Sequence, residues 1–220
     1  MEYASKEQME EIDRIAPKKY GLTISRMMEN AAYHIADYIR QNFDQDQTIT
    51  VYAGKGNNGG DALAAARRLH NWGFEVKLRI ESELDGIRKE EFEILRKLGI
   101  EPVSEVENSD VVLDGMIGYN LDGEPRTPFD SMIREINKLE TYVVSIDVPS
   151  GFDLDNGEFL DPSVTPDAVL TLAAPFQGLK HLDIDHQLID ISIPAEVYTE
   201  ADVEIDPSKV FAHSSRVKLV

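Results

Sequence analysis

There is no cysteine anywhere in the 220 residues. That absence excludes a disulfide-stapled fold, a thiolate metal site and a cysteine nucleophile. Basic residues are scarce: 22 Lys and Arg stand against 41 Asp and Glu, for a formal net charge of −19. A protein that tracks nucleic-acid phosphates, or one held to an anionic lipid surface, needs a basic footprint, so neither partner is expected. Long apolar runs are also missing. No stretch approaches the ~18 residues of a transmembrane helix, and Met1-Glu2-Tyr3 lacks the basic start and apolar stretch of a signal peptide. A cytoplasmic protein is the expectation. With 42% hydrophobic residues and a mean hydropathy of −0.32, the composition is that of an ordinary globular protein, and the length fits a single domain over 1–220.

The acid excess is too scattered, and the apolar content too high, for a disordered acidic chain. Hydrated carboxylates also keep proteins soluble in a cytosol of very high salt, where self-repulsion is screened. Lysine and arginine number 11 each, so lysine is not depleted, and a halophilic and an ordinary cytosol fit the chain equally.

Along the chain, Ser5 with Gln8 has capping-box spacing for a first helix, which Pro17 and Gly21 punctuate. Ile24, Met27, Met28, Ala31, Ala32, Ile35, Ala36 and Ile39 make the stripe of a second helix packed on a core, the methionines reading as core filling. Alternation follows. Strands are expected at 48–53, 75–80, 111–113, 141–146, 168–172 and 188–193, with helices at 61–71, 90–98 and 128–139 between them. Continuous apolar strands separated by helices imply a mostly parallel sheet covered on both faces, a three-layer α/β/α arrangement in which ligands bind beyond the strands' carboxyl ends.

Three strand-end segments carry chemistry. Gly54-Lys55-Gly56-Asn57-Asn58-Gly59-Gly60-Asp61 permits close backbone approach to a ligand at a helix N-terminus, with Asp61 at the expected N-cap. It is neither GxGxxG nor a Walker A loop. Asp114-Gly115 opens a second loop that runs through Gly118-Tyr119-Asn120-Leu121-Asp122-Gly123-Glu124. Asp147-Val148-Pro149-Ser150-Gly151 is the third, and Asp147 can serve as a general base if packing raises its pKa. Val148 stands where a Gly-x-Ser-x-Gly elbow needs glycine, so a hydrolase triad on Ser150 is set aside. His181 and His186 read as surface residues.

These segments resemble the NAD(P)H-hydrate epimerase family, also known as the YjeF N-terminal domain. Met28-Glu29-Asn30-Ala31 is similar to its early helix, Gly56-Asn57-Asn58-Gly59-Gly60-Asp61 to its central signature, and Asp114 to its strand-end aspartate. The loop from Gly118 to Gly123 with Arg126 and Pro128 resembles Gly-Thr-Gly-Leu-x-Gly…Arg-x-Pro, and Asp147-Val148-Pro149-Ser150-Gly151 resembles Asp-[Ile/Val]-Pro-Ser-Gly. The resemblance implies a Rossmann-like fold, usually homodimeric, and an isomerase of metabolite repair. Its reaction interconverts the R and S epimers of NADH and NADPH hydrated at C6 of the nicotinamide ring (NADHX and NADPHX). It implies substrate contacts at Asn57, Asn58, Gly59, Gly60, Asp61, Gly118, Tyr119, Asn120, Leu121, Asp122, Gly123, Glu124, Arg126 and Asp147, with Asp147 as the catalytic acid or base. It also implies a K⁺ ion held by Asn58, Asp114 and Ser150, an all-oxygen set with one carboxylate that suits a weakly bound monovalent ion.

The chain departs from the pattern at Tyr119 and Asn120, which replace Thr-Gly, and at Phe176, where many members carry lysine. The 220 residues leave no room for the dehydratase domain fused in many members, so the resemblance implies a separate dehydratase acting on the product. Some relatives are non-catalytic ligand-binding or dimerisation modules. The intact Asn58, Asp114 and Asp147 favour the enzyme.

Overall fold

A computed structural model describes residues 1–219. Ser5 caps the first helix, α1 (Lys6–Tyr20): its hydroxyl accepts from Gln8 N at 3.2 Å while Gln8 Oε1 accepts from Ser5 N at 2.9 Å. Gly21 closes the helix in the left-handed region at φ 68°. Pro17 lies inside α1, one turn before its end, and its missing N–H removes the regular i+4 donor to the Asp13 carbonyl. In α2 (Ile24–Asn42) the expected stripe is buried from Met27 to Ile39, but its first member, Ile24, is exposed at the helix start.

The alternating part runs β1 (Thr48–Ala53), α3 (Asn57–Asn71), β2 (Glu75–Arg79), α4 (Gly86–Lys97), β3 (Val111–Gly115), α5 (Phe129–Ile136) and β4 (Tyr142–Ile146). A small hairpin, β5 (Phe152–Asp153) and β6 (Glu158–Phe159), precedes β7 (Ala168–Leu172) and β8 (Asp185–Ile189). The chain ends with α6 (Ala195–Glu200), α7 (Pro207–Val210) and β9 (Arg216–Lys218). Seven strands form one sheet in the order β2-β1-β3-β4-β7-β8-β9, parallel throughout except for the antiparallel β8–β9 pair at one edge.

Side chains alternate between two cores. Val51, Leu113, Val144 and Ile146 join the larger core with α1, α2, α3 and α4, whereas Tyr52, Val112 and Val143 join a smaller one with Met132, Ile133 and Ile136 of α5. The expected three-layer arrangement is thus present. No helix among the described residues is long and apolar enough to cross a membrane.

Three boundaries differ from the sequence reading in ways that shape the site. Helix α3 begins at Asn57, not Asp61, so Gly56 is the N-cap and Asp61 sits inside the helix. Asparagine and glycine read as turn formers, but here the glycines serve close packing. A Cβ on Gly54 would lie 1.9 Å from Met116 O, and one on Gly59 would lie 2.0 Å from Gly54 O. Strand β3 runs through Asp114 and Gly115, which places the Asp114 carboxyl within the sheet. Strand β8 lies at 185–189, not 188–193, because all five residues, including the polar Asp185-His186-Gln187 start, pair in register with β7, and β9 adds a second ladder from Gln187 onward.

Candidate active site

The chain leaves β1 toward β2 on one side and returns as β3 on the other, which opens a crevice beyond the carboxyl ends of β1 and β3. A cavity of about 570 Å³ fills it. The start of α3 contributes Asn57, Asn58 and Asp61; the loop after β3 contributes Gly118 to Asp122, Glu124 and Arg126; the end of β4 contributes Asp147. These are eleven of the fourteen expected substrate-site residues. Gly59, Gly60 and Gly123 are not on the wall. Gly59 is packed on Gly54, Gly60 faces Met28 and Arg88, and Gly123 turns the loop at φ 68°.

Asp147 is the most constrained of these. Its backbone is left-handed at φ 65°, a conformation that costs a non-glycine residue energy and must be held by its surroundings. The hold is visible. Asp147 N donates to Leu170 O at 2.8 Å, the Asp147 carbonyl accepts from Thr171 Oγ1 at 3.0 Å, and Oδ1 accepts from Leu172 N at 3.2 Å. Thr171 Oγ1 also lies 2.8 Å from His186 Nε2. Since the single hydroxyl proton is directed at Asp147, His186 must donate from Nε2. His186 is buried, which corrects the surface reading, and burial lowers its pKa to about 4, so the ring stays neutral. His181 is exposed as expected.

No salt bridge reaches the cavity's buried carboxyls among the described residues. Burial raises the Asp147 pKa to about 7, against the pull of the Leu172 N–H. Burial also pushes Asp61 well above the usual carboxylate range, reinforced by Asp147 and then Asp13. Asp13 of α1 is a third, raised by burial and opposed by a hydrogen bond from Tyr119.

Behind the cavity wall, Asp114 has no exposed surface. Its Oδ1 accepts from Ser150 Oγ at 2.5 Å and Met116 N at 3.3 Å, and its Oδ2 accepts from Ser145 Oγ and Ser150 N, both at 2.9 Å. Burial raises its pKa, and these four donors, led by the Ser150 hydroxyl, oppose the rise. Ser150 Oγ in turn accepts from Ile117 N at 2.9 Å, which ties the loop after β3 to the end of β4. Asn58 is buried, and neither atom of its side-chain amide has a hydrogen-bond partner among the described residues.

Sequence reasoning missed the contribution of the first two helices. Met9 and Asp13 of α1 and Met27 and Met28 of α2 line the cavity, so the methionine pair is site wall as well as core. One signal was available: Asp13 is a lone carboxylate on the apolar stripe Met9, Ile12, Ala16.

Comparison with known proteins supplies the frame. A family model described as YjeF-related protein N-terminus matches residues 24–178. An NAD(P)H-hydrate epimerase from Dehalogenimonas lykanthroporepellens is 36% identical over 206 residues, covering 89% of this chain and 84% of that protein. One from Puccinia graminis is 31% identical over 217 residues, covering 93% and 89%. The crystal structure of yeast ynu0 superposes with a TM-score of 0.86 over 100% of both chains at 24% identity, a likeness of fold.

Proposed function

The chain belongs to the YjeF-related N-terminal family, and on that premise we propose that it is an epimerase interconverting the R and S forms of hydrated NADH and NADPH. One observation carries the assignment of chemistry to this cavity. Asp147 is a buried carboxyl without a cationic partner, fixed at a strand end and titrating near neutrality, at about 7. A general acid–base works best with a pKa near the operating pH, because both proton states are then populated.

The reaction follows from that property. Protonated Asp147 donates to the C6 hydroxyl, the C–O bonding pair leaves with the oxygen as water, and the N1 lone pair forms a C6=N1 double bond. Water then adds to either face of C6, the π pair returns to N1, and the added water gives up a proton to a carboxylate lining the cavity. The atoms balance, and no redox partner is needed. The N-terminus of α3 at Asn57 and the backbone of the loop after β3 provide N–H donors for the pyrophosphate, with Lys55 and Arg126 adding positive charge at the wall.

The residues present fit the family's potassium ion. The unpartnered Asn58 carbonyl supplies a buried oxygen with nothing else to bind, and Asp114 with Ser150 completes an all-oxygen set. No cluster of three or more His, Cys, Asp or Glu able to hold a metal occurs among the described residues. Bound there, a monovalent cation supplies electrostatic ordering of the strand-end loops. The reading carries with it a homodimer and a dehydratase that takes the product.

The test is R/S exchange on purified epimers, followed by NMR or chromatography with and without K⁺. Asp147→Asn is expected to retain substrate binding and lose about 100-fold or more of the exchange rate. A wild-type rate in that variant removes Asp147 from the chemistry. If the unmodified protein does not exceed the spontaneous rate, the chain is a ligand-binding module.

A further inference from the structure

The two ring-bearing departures from the family pattern, Tyr119 and Phe176, pack against each other with ring centroids 5.6 Å apart. From that support Tyr119 reaches to α1 and donates its hydroxyl to Asp13 Oδ2 at 2.6 Å. This bond spans 106 residues of sequence and ties the loop after β3 to the first helix. It engages only Oδ2; among the described residues no protein donor bonds Oδ1, and Asp13 lines the cavity.

Epimerisation makes a demand that one carboxyl at one strand end does not meet by itself. The hydroxyl leaves from one face of C6 and returns to the other, so protons must be delivered and collected on both faces. We propose that Asp13, oriented by Tyr119, is the second proton-handling residue of this cavity and serves the ring face that Asp147 does not. The inference rests on the epimerase reading. In one direction Asp13 gives its proton to the departing hydroxyl, the C–O pair leaves as water, and N1 forms the C6=N1 bond. Water adds from the other face, the π pair returns to N1, and Asp147 takes the proton. The reverse direction exchanges the two roles, and solvent resets both carboxyls.

The surroundings suit a carboxyl that holds a proton. The ionisable groups that bear on Asp13 are Glu10 on its own helix, Tyr119 from the loop after β3, and, through their shared coupling, Asp61 of α3 and Asp147 at the end of β4. None is cationic. Burial raises the Asp13 pKa, and the Tyr119 bond restrains the rise by stabilising the charged form. Asp61 shares the cavity but has no such orienting partner.

The experiment uses two near-isosteric variants of the full chain, Asp13→Asn and Tyr119→Phe, with thermal melting to confirm that each folds. Asp13→Asn is expected to lower kcat/KM for R/S exchange about 100-fold while substrate still binds. Tyr119→Phe keeps the acid but removes the bond that favours its charged form, so the alkaline limb of the pH–rate profile is expected to move to higher pH. A purely structural contact would leave that limb in place. Wild-type kinetics in Asp13→Asn, or an unmoved limb in Tyr119→Phe, overturns the role of Asp13 and leaves the epimerase intact. Absence of exchange by the unmodified protein overturns both.

Discussion

Asp147 shows how one residue couples stability to chemistry. In the fold its pKa is raised from 3.8 to about 7, chiefly by burial. Between those values the folded protein holds a proton that the unfolded chain has released. Stability therefore falls as pH rises through that window, and the loss is complete above the folded value. Asn at this position carries no charge to bury and tolerates the left-handed backbone that φ 65° imposes. Asp147→Asn is accordingly expected to melt ~5 °C higher than the natural protein at about pH 8, with the gap closing toward about pH 4. Calorimetry at the two pH values checks it, and a gap independent of pH would rule out burial of the charge as its source. The same substitution is expected to abolish most exchange; higher stability together with lost exchange would mark Asp147 as a destabilising group kept for its chemistry.

At the scale of elements, β7 and β8 act as a brace for the end of β4. His186 on β8 donates to Thr171 on β7, and Thr171 donates to the Asp147 carbonyl at 3.0 Å. Thr171→Val keeps the shape but removes the donor to Asp147 and strands the buried His186 N–H. It is expected to cost about 1–3 kcal/mol in chemical denaturation and to slow exchange, whereas Thr171→Ser preserves both. Unchanged stability and rate in the valine variant would mean that Asp147 holds its backbone without the brace. This brace was not legible in the sequence. Its partners are far apart in the chain, and His186 looks like surface because it sits in the polar run Asp185-His186-Gln187. The elements themselves were legible where apolar periodicity was strong, as in α2 and β1. The strand-end aspartates were legible because apolar runs terminate on them. The start of α3 was hidden because Asn57 to Gly60 signals a turn locally, while close packing on Gly54 and Met28 favours a helix. Asp13 was hidden for a different reason: its partner Tyr119 departs from the family pattern, so neither half announces the pair.

For the molecule as a whole, the net charge of −19 opposes binding of a polyanionic dinucleotide. The opposition is long-ranged, since most of the acidic side chains lie outside the cavity and act across solvent. Such repulsion is screened over ~30 Å at 0.01 M salt and over ~3 Å at 1 M. Inside the cavity the balance differs. Burial favours the protonated forms of Asp13, Asp61 and Asp147, Lys55 and Arg126 stand at its wall against Asp122 and Glu124, and the N-terminus of α3 presents N–H groups. Substrate affinity is therefore expected to hold or improve as KCl rises from about 0.01 M to about 1 M, opposite to a protein that binds phosphates through basic residues. A parallel NaCl series separates the two contributions. Screening alone gives the same curve with both salts, whereas a cation bound at Asn58, Asp114 and Ser150 gives a gain with KCl that NaCl does not reproduce. Affinity that falls steeply in both salts would place the phosphates on Lys55 and Arg126 rather than on backbone N–H groups.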